Sequence, residues 1–112
     1  MVQQGERPME GILKLREILE NDPTNIDAAY QLGLFSIQSG QYENAIKRFG
    51  QVTEQDASGK YIDAHVYLGK VHTELGDKKS AVLAFEEYIS KESDPELIDK
   101  VKQMVAELDR TR

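Results

Sequence analysis

Two stretches of this chain carry the same pattern 36 residues apart, and that offset limits the folds open to it more than any other feature. Ile26-Asp27-Ala28-Ala29-Tyr30-Gln31-Leu32-Gly33 returns as Ile62-Asp63-Ala64-His65-Val66-Tyr67-Leu68-Gly69. The register holds further on, with Gly40 against Gly76, Ala45 against Ala81, Ile46 against Val82 and Phe49 against Phe85. Leu15, Ile18, Leu19 and Pro23 read as the second half of an earlier unit.

Each unit reads as two helices around a glycine turn. Ala29, Leu32, Gly33 and Ser36 fall at helical spacing, and Gly40 is placed to end that helix in the left-handed conformation. The second helix carries Tyr42, Ala45, Ile46, Phe49 and Val52 on one face. In the next unit Leu68, Val71 and Leu75 lead to Gly76, and Asp77 can cap a helix bearing Ala81, Val82, Phe85 and Ile89. Gly33 with Ala45, and Gly69 with Ala81, allow two antiparallel helices to approach closely, while Phe49 and Phe85 fill the space beyond. A helix is expected over residues 8–21, ending at Asn21-Asp22-Pro23. A closing helix is expected from Ser93-Asp94-Pro95-Glu96, with Ser93 and Glu96 as a capping box and an apolar stripe of Leu97, Ile98, Val101, Val105 and Leu108. The polar connection at residues 56–61 reads as a lengthened loop between repeats, not a domain boundary. The expected organisation is a single domain: residues 8–25 as the second helix of a partial repeat, repeats at 26–59 and 62–94, and a capping helix at 95–109.

Composition removes several function classes. Fourteen basic residues against twenty acidic ones give a net charge of −6, the wrong sign for a general nucleic-acid or anionic-membrane surface. Without cysteine there is no thiol chemistry, disulfide or thiolate metal site. This suits a reducing cytosol, the favoured compartment, and is equally compatible with a periplasm; membrane anchoring stays open if the chain is a piece of a longer protein. Residues 1–8 are polar and hold no apolar signal core. His65 and His72 lie seven apart without further ligands at metal-binding spacing, so both are read as packing residues. Glu43, Glu86 and Glu87 belong to solvated helix faces, and no phosphate loop or triad is visible. No enzyme, cofactor or metal is expected.

The Leu-Gly pairs at 32–33 and 68–69, the Ala and aromatic at Ala45/Phe49 and Ala81/Phe85, and Asp22-Pro23 together resemble the tetratricopeptide repeat, over residues 8–95. The departures are Ala29 and His65 early in the first helices, Ser36 and His72 one turn later, and Asp56-Ala57 at a junction without proline. That unit is two residues longer than the roughly 34 usual for the family. The resemblance implies an all-α fold, a right-handed superhelix of antiparallel hairpins with about six helices. It also implies a scaffold that binds a peptide or helix of another protein in a concave groove lined by the first helices. Some similar proteins clamp a chaperone's terminal carboxylate with Lys and Asn. Here only Lys70 matches, so that activity is not carried over.

On the resemblance, Tyr30, Leu34, Ile37, Val66, Lys70 and Thr73 form the groove strip, with Tyr30 as its anchor. The alternative is that a neighbouring helix of the same chain covers Tyr30, Leu34 and Ile37. Asp27, Asp63 and Glu74 would rim the strip with negative charge, interrupted by Lys70, and suit a partner with apolar and basic residues. Leu13 and Leu83 sit where such helices usually face solvent. They are stray surface leucines, or marks of self-association or of contact with another part of a longer chain. With Ile12, Leu15, Ile18 and Leu19 on the first helix, a weak homodimer of a structural domain is the competing expectation.

Overall fold

The computed structural model describes residues 8–110, with side-chain burial from residue 11 onward; the polar segment 1–7 lies outside it. Six α-helices follow in order: α1 (Pro8–Asn21), α2 (Ile26–Gln38), α3 (Tyr42–Gln55), α4 (Ala64–Glu74), α5 (Lys78–Lys91) and α6 (Pro95–Arg110). No strand occurs among the described residues. The chain divides into two compact units at Gln55/Asp56.

In the first unit α2 packs against α1 on one side and α3 on the other. The α2–α3 interior is Ala29, Leu32, Ala45, Phe49 and Val52, all buried, with Ile12 and Leu19 of α1 also covered. Phe49 reaches Gly33 so closely that a Cβ there would stand 2.8 Å from its ring. Ser36 is a buried polar residue, and its hydroxyl donates to the Leu32 carbonyl at 2.9 Å, so its burial leaves no unmet donor.

The second unit repeats this construction. α4 and α5 form the hairpin, and α6 packs on α5. Gly69 meets Phe85 as Gly33 meets Phe49, and tighter, since an added Cβ would lie 2.6 Å from two of the ring carbons. Ala81, Phe85, Tyr88 and Val101 form one buried cluster, with Val66, Met104 and Leu108 packed at its margin.

The hairpin turns are closed the same way in both units. Gly40 has φ 76°, with Gly40 N–H donating to the Ile37 carbonyl at 3.1 Å and Gln41 N–H to that of Ser36 at 2.8 Å. Gly76 has φ 79°, with Gly76 N–H donating to Thr73 at 3.0 Å and Asp77 N–H to His72 at 2.9 Å. Both are Schellman turns, which satisfy the last carbonyls of a helix and need a left-handed residue at the bend. Asp77 then caps α5, accepting from Ser80 N–H at 3.1 Å. The 56–61 loop is organised by one side chain, because Asp56 accepts from Lys60 N–H at 3.1 Å and Tyr61 N–H at 2.7 Å.

Two expectations change at this level. The cap of α6 is Asp94, not Ser93: its carboxylate accepts from Glu96 N–H at 3.0 Å. Pro95 fills the first helical position, which places the capping residue immediately before it. Leu75, read with the apolar run of α4, is 45% exposed, because it is the residue before the Schellman glycine and lies beyond the covering helix turn.

Candidate functional site

Within the second unit, α4, α5 and α6 enclose a groove of about 210 Å³. α4 contributes Val66, Tyr67 and Lys70, with Asp63 just before it. The spacing from Asp63 through Val66 and Tyr67 to Lys70 keeps these side chains on one helical face. α6 contributes Leu97, Lys100, Val101 and Met104, again one face at three- and four-residue intervals. Tyr88 of α5 completes the lining. Val101 and Tyr88 are buried, Val66, Tyr67 and Met104 half-buried, and Lys70 and Lys100 exposed. The floor is therefore apolar and the charge sits at the mouth.

The polar end of Tyr88 is fixed. Its hydroxyl donates to Glu92 Oε1 at 2.8 Å. Burial and then the neighbouring Glu92 carboxylate push its pKa up to about 12. Glu92 also accepts from Ser93 N–H at 3.1 Å and Asp94 N–H at 3.0 Å. Those backbone donors, led by Asp94, and the Tyr88 hydroxyl hold its carboxyl below the ordinary range. One carboxylate thus fastens the α5–α6 connection and fixes the Tyr88 hydroxyl.

The residues expected at the strip are only partly brought together. Val66 and Lys70 line this groove. Thr73, one turn on, is not among the lining residues, and its hydroxyl donates to the Gly69 carbonyl at 2.8 Å. In the first unit Tyr30, Leu34 and Ile37 are each half-buried on α2. The Tyr30 ring stands edge-on to Phe49, with centroids 5.8 Å apart and planes at 82°, so part of its surface supports the hairpin interior. The charge at the mouth of this groove is mixed. Asp63 is there, but Glu74 is not, and Lys70 and Lys100 outnumber the single carboxylate. Leu97, Lys100 and Met104 were not assigned to a site from the sequence. The signal available was the 97/100/101/104 spacing, which by itself reads as one buried stripe with a solvated lysine.

His65 and His72 both lie at the edges of packed surfaces. Burial lowers the His65 pKa, opposed by Glu87 and Asp56 and reinforced by Lys91. His72 Nδ1 lies 3.9 Å from Asp77 Oδ2. A base whose pKa falls on folding makes the unfolded chain bind more protons as pH drops. The stability His65 provides as a neutral side chain is therefore present above its ordinary value of 6.5 and is lost as pH falls below it. We expect the denaturation midpoint to decline between about pH 7 and pH 5, and His65→Gln to flatten that decline. Parallel slopes in urea titrations of the two proteins would reject this role.

A sequence profile of the tetratricopeptide repeat matches residues 7–91, which take in α1 to α5. No curated protein matches the chain.

Proposed function

We propose that this chain, which belongs to the tetratricopeptide repeat family, is a protein–protein interaction scaffold that holds a peptide or helical segment of a partner in the groove between α4 and α6. Repeats of this family are typically non-catalytic interaction modules. The observation that carries the reading is the groove itself: an apolar floor of Val66, Val101 and Met104, with Leu97 exposed at its edge, left open beneath a charged mouth. Its volume of about 210 Å³ exceeds the roughly 150 Å³ in which an apolar cavity holds a benzene ring, so one large apolar side chain fits. Tyr30, Leu34 and Ile37 of α2 are proposed as the partner-facing residues of the first unit, and Thr73 as an outlying contact on α4.

The test takes ligands recovered by the wild-type protein from a random-peptide library displayed on phage. Leu97→Ser with Met104→Gln removes apolar surface from the groove without adding charge. Once circular dichroism shows it folded, it is expected to weaken those ligands by about 2 kcal/mol, roughly 30-fold. Unchanged binding would take the partner site away from this groove. Tyr30→Ala with Leu34→Ser then reports whether α2 holds the ligand instead.

A further inference from the structure

We infer that the segment taken up by the α4–α6 groove carries a single large apolar anchor flanked by aspartate or glutamate. This rests on the groove's being a partner site and adds the chemistry of the occupant. The whole chain has a net charge of −6, so an unselected patch of its surface is more often acidic than basic. At this groove the balance reverses, with Lys70 on one wall and Lys100 on the other against Asp63 alone. Both lysines are exposed. Among the described residues neither takes part in an ion pair. Their ammonium groups are thus available to a ligand and have no internal pairing to break.

The floor sets the rest of the ligand's chemistry. Tyr88 contributes its ring, while its hydroxyl hydrogen is committed to Glu92. Tyr67 adds a second half-buried ring, and Val66, Leu97, Val101 and Met104 offer no polar handle. An apolar side chain therefore supplies the burial, and methionine at the margin lets the floor adapt to its shape. Carboxylates on either side of the anchor would meet lysines on opposite walls. A basic segment would bring like charge against both and find only Asp63, so the lysines select against it as well as for an acidic one. Charges at a solvent-exposed mouth act mainly on encounter and discrimination, and salt screens them.

The same displayed library gives the experiment, read now for composition. Recovered peptides are expected to share one Leu, Phe or Met with Asp or Glu on both sides. Lys70→Glu with Lys100→Glu, which leaves the floor intact, is expected to weaken them at least tenfold. The charge-reversed peptides, with Lys for each acidic residue, should gain on that variant what they lack on the wild type. Ligands rich in Lys or Arg, ligands without charge preference, or equal binding to the double-charge variant would each overturn the inference. If those ligands still lost affinity with Leu97→Ser/Met104→Gln, the groove would remain the partner site and only the charge assignment would fall. A second copy is the other occupant to separate. Groove resonances that shift with protein concentration alone, and stop shifting in Leu13→Glu, would place the exposed α1 leucine there and overturn the inference too.

Discussion

Phe49→Ala is expected to destabilise the first unit by about 4 kcal/mol. Phe49 is completely buried, and its ring supports Gly33 on one side and Tyr30 on another. Removing it takes away the transfer energy of an aromatic side chain and leaves a cavity between α2 and α3. The surrounding structure relaxes only partially around such a truncation, so the gap does not close fully. Domains of this size have a total stability of about 5–15 kcal/mol, so the variant should sit near the edge of folding at 37 °C. Urea titration followed by circular dichroism measures this directly. A loss below about 1 kcal/mol would mean that the α2–α3 interface does not depend on this ring.

Gly69→Leu tests the matching contact from the other side. A Cβ at this position would fall 2.6 Å from two carbons of the buried Phe85 ring, inside any real contact distance. Two effects compete. Replacing a helical glycine by leucine recovers nearly 1 kcal/mol of backbone propensity. Overpacking a filled interface costs typically 1–3 kcal/mol and more where the neighbour is itself enclosed. Because Phe85 is enclosed and the leucine adds three further carbons beyond Cβ, overpacking should win by about 2 kcal/mol or more. Gly33→Leu should follow in the same direction with a smaller loss, given its 2.8 Å approach to Phe49. Pairing Gly69→Ala with Phe85→Leu should recover part of the alanine variant's loss, a coupling that a double-mutant cycle reads. Thermal melts of Gly69→Leu within noise of the wild type would disprove the close pairing of α4 with α5.

The residues that were legible in the sequence are those whose meaning repeats. Gly33 and Gly69 stand at matched positions, so one hairpin interprets the other; the pattern pairs each with an alanine, Ala45 or Ala81, and the structure brings the rings of Phe49 and Phe85 directly onto the two glycines. Gly40 and Gly76 were readable for the same reason, since a glycine after a helical run has one common use. The end of the chain lacks that redundancy. α6 has no counterpart to align with, so its cap was placed at Ser93 although Asp94 makes the bond. Of its groove residues, Leu97 and Val101 belong to the apolar stripe legible in the sequence, while Lys100 and Met104 carry no such signal. Helical spacing tells which residues share a face, but not which face another helix leaves open. That depends on the tilt between α4 and α6, which side-chain volumes on both helices set jointly. Where charges gather depends on the same packing: Glu74 belongs to α4 but does not line this groove, while Lys100 arrives from another helix.

The glycine–phenylalanine lock of the second unit uses the side of α4 that faces α5, and Lys70 is the residue directly after that glycine yet stands exposed. Lys100 on α6 is equally free of the interior. Two substitutions can therefore reverse the charge at this surface without touching the packed interior. The hairpin behaves as a chassis: the charge it displays can change while the ring-on-glycine contact that holds it together stays in place.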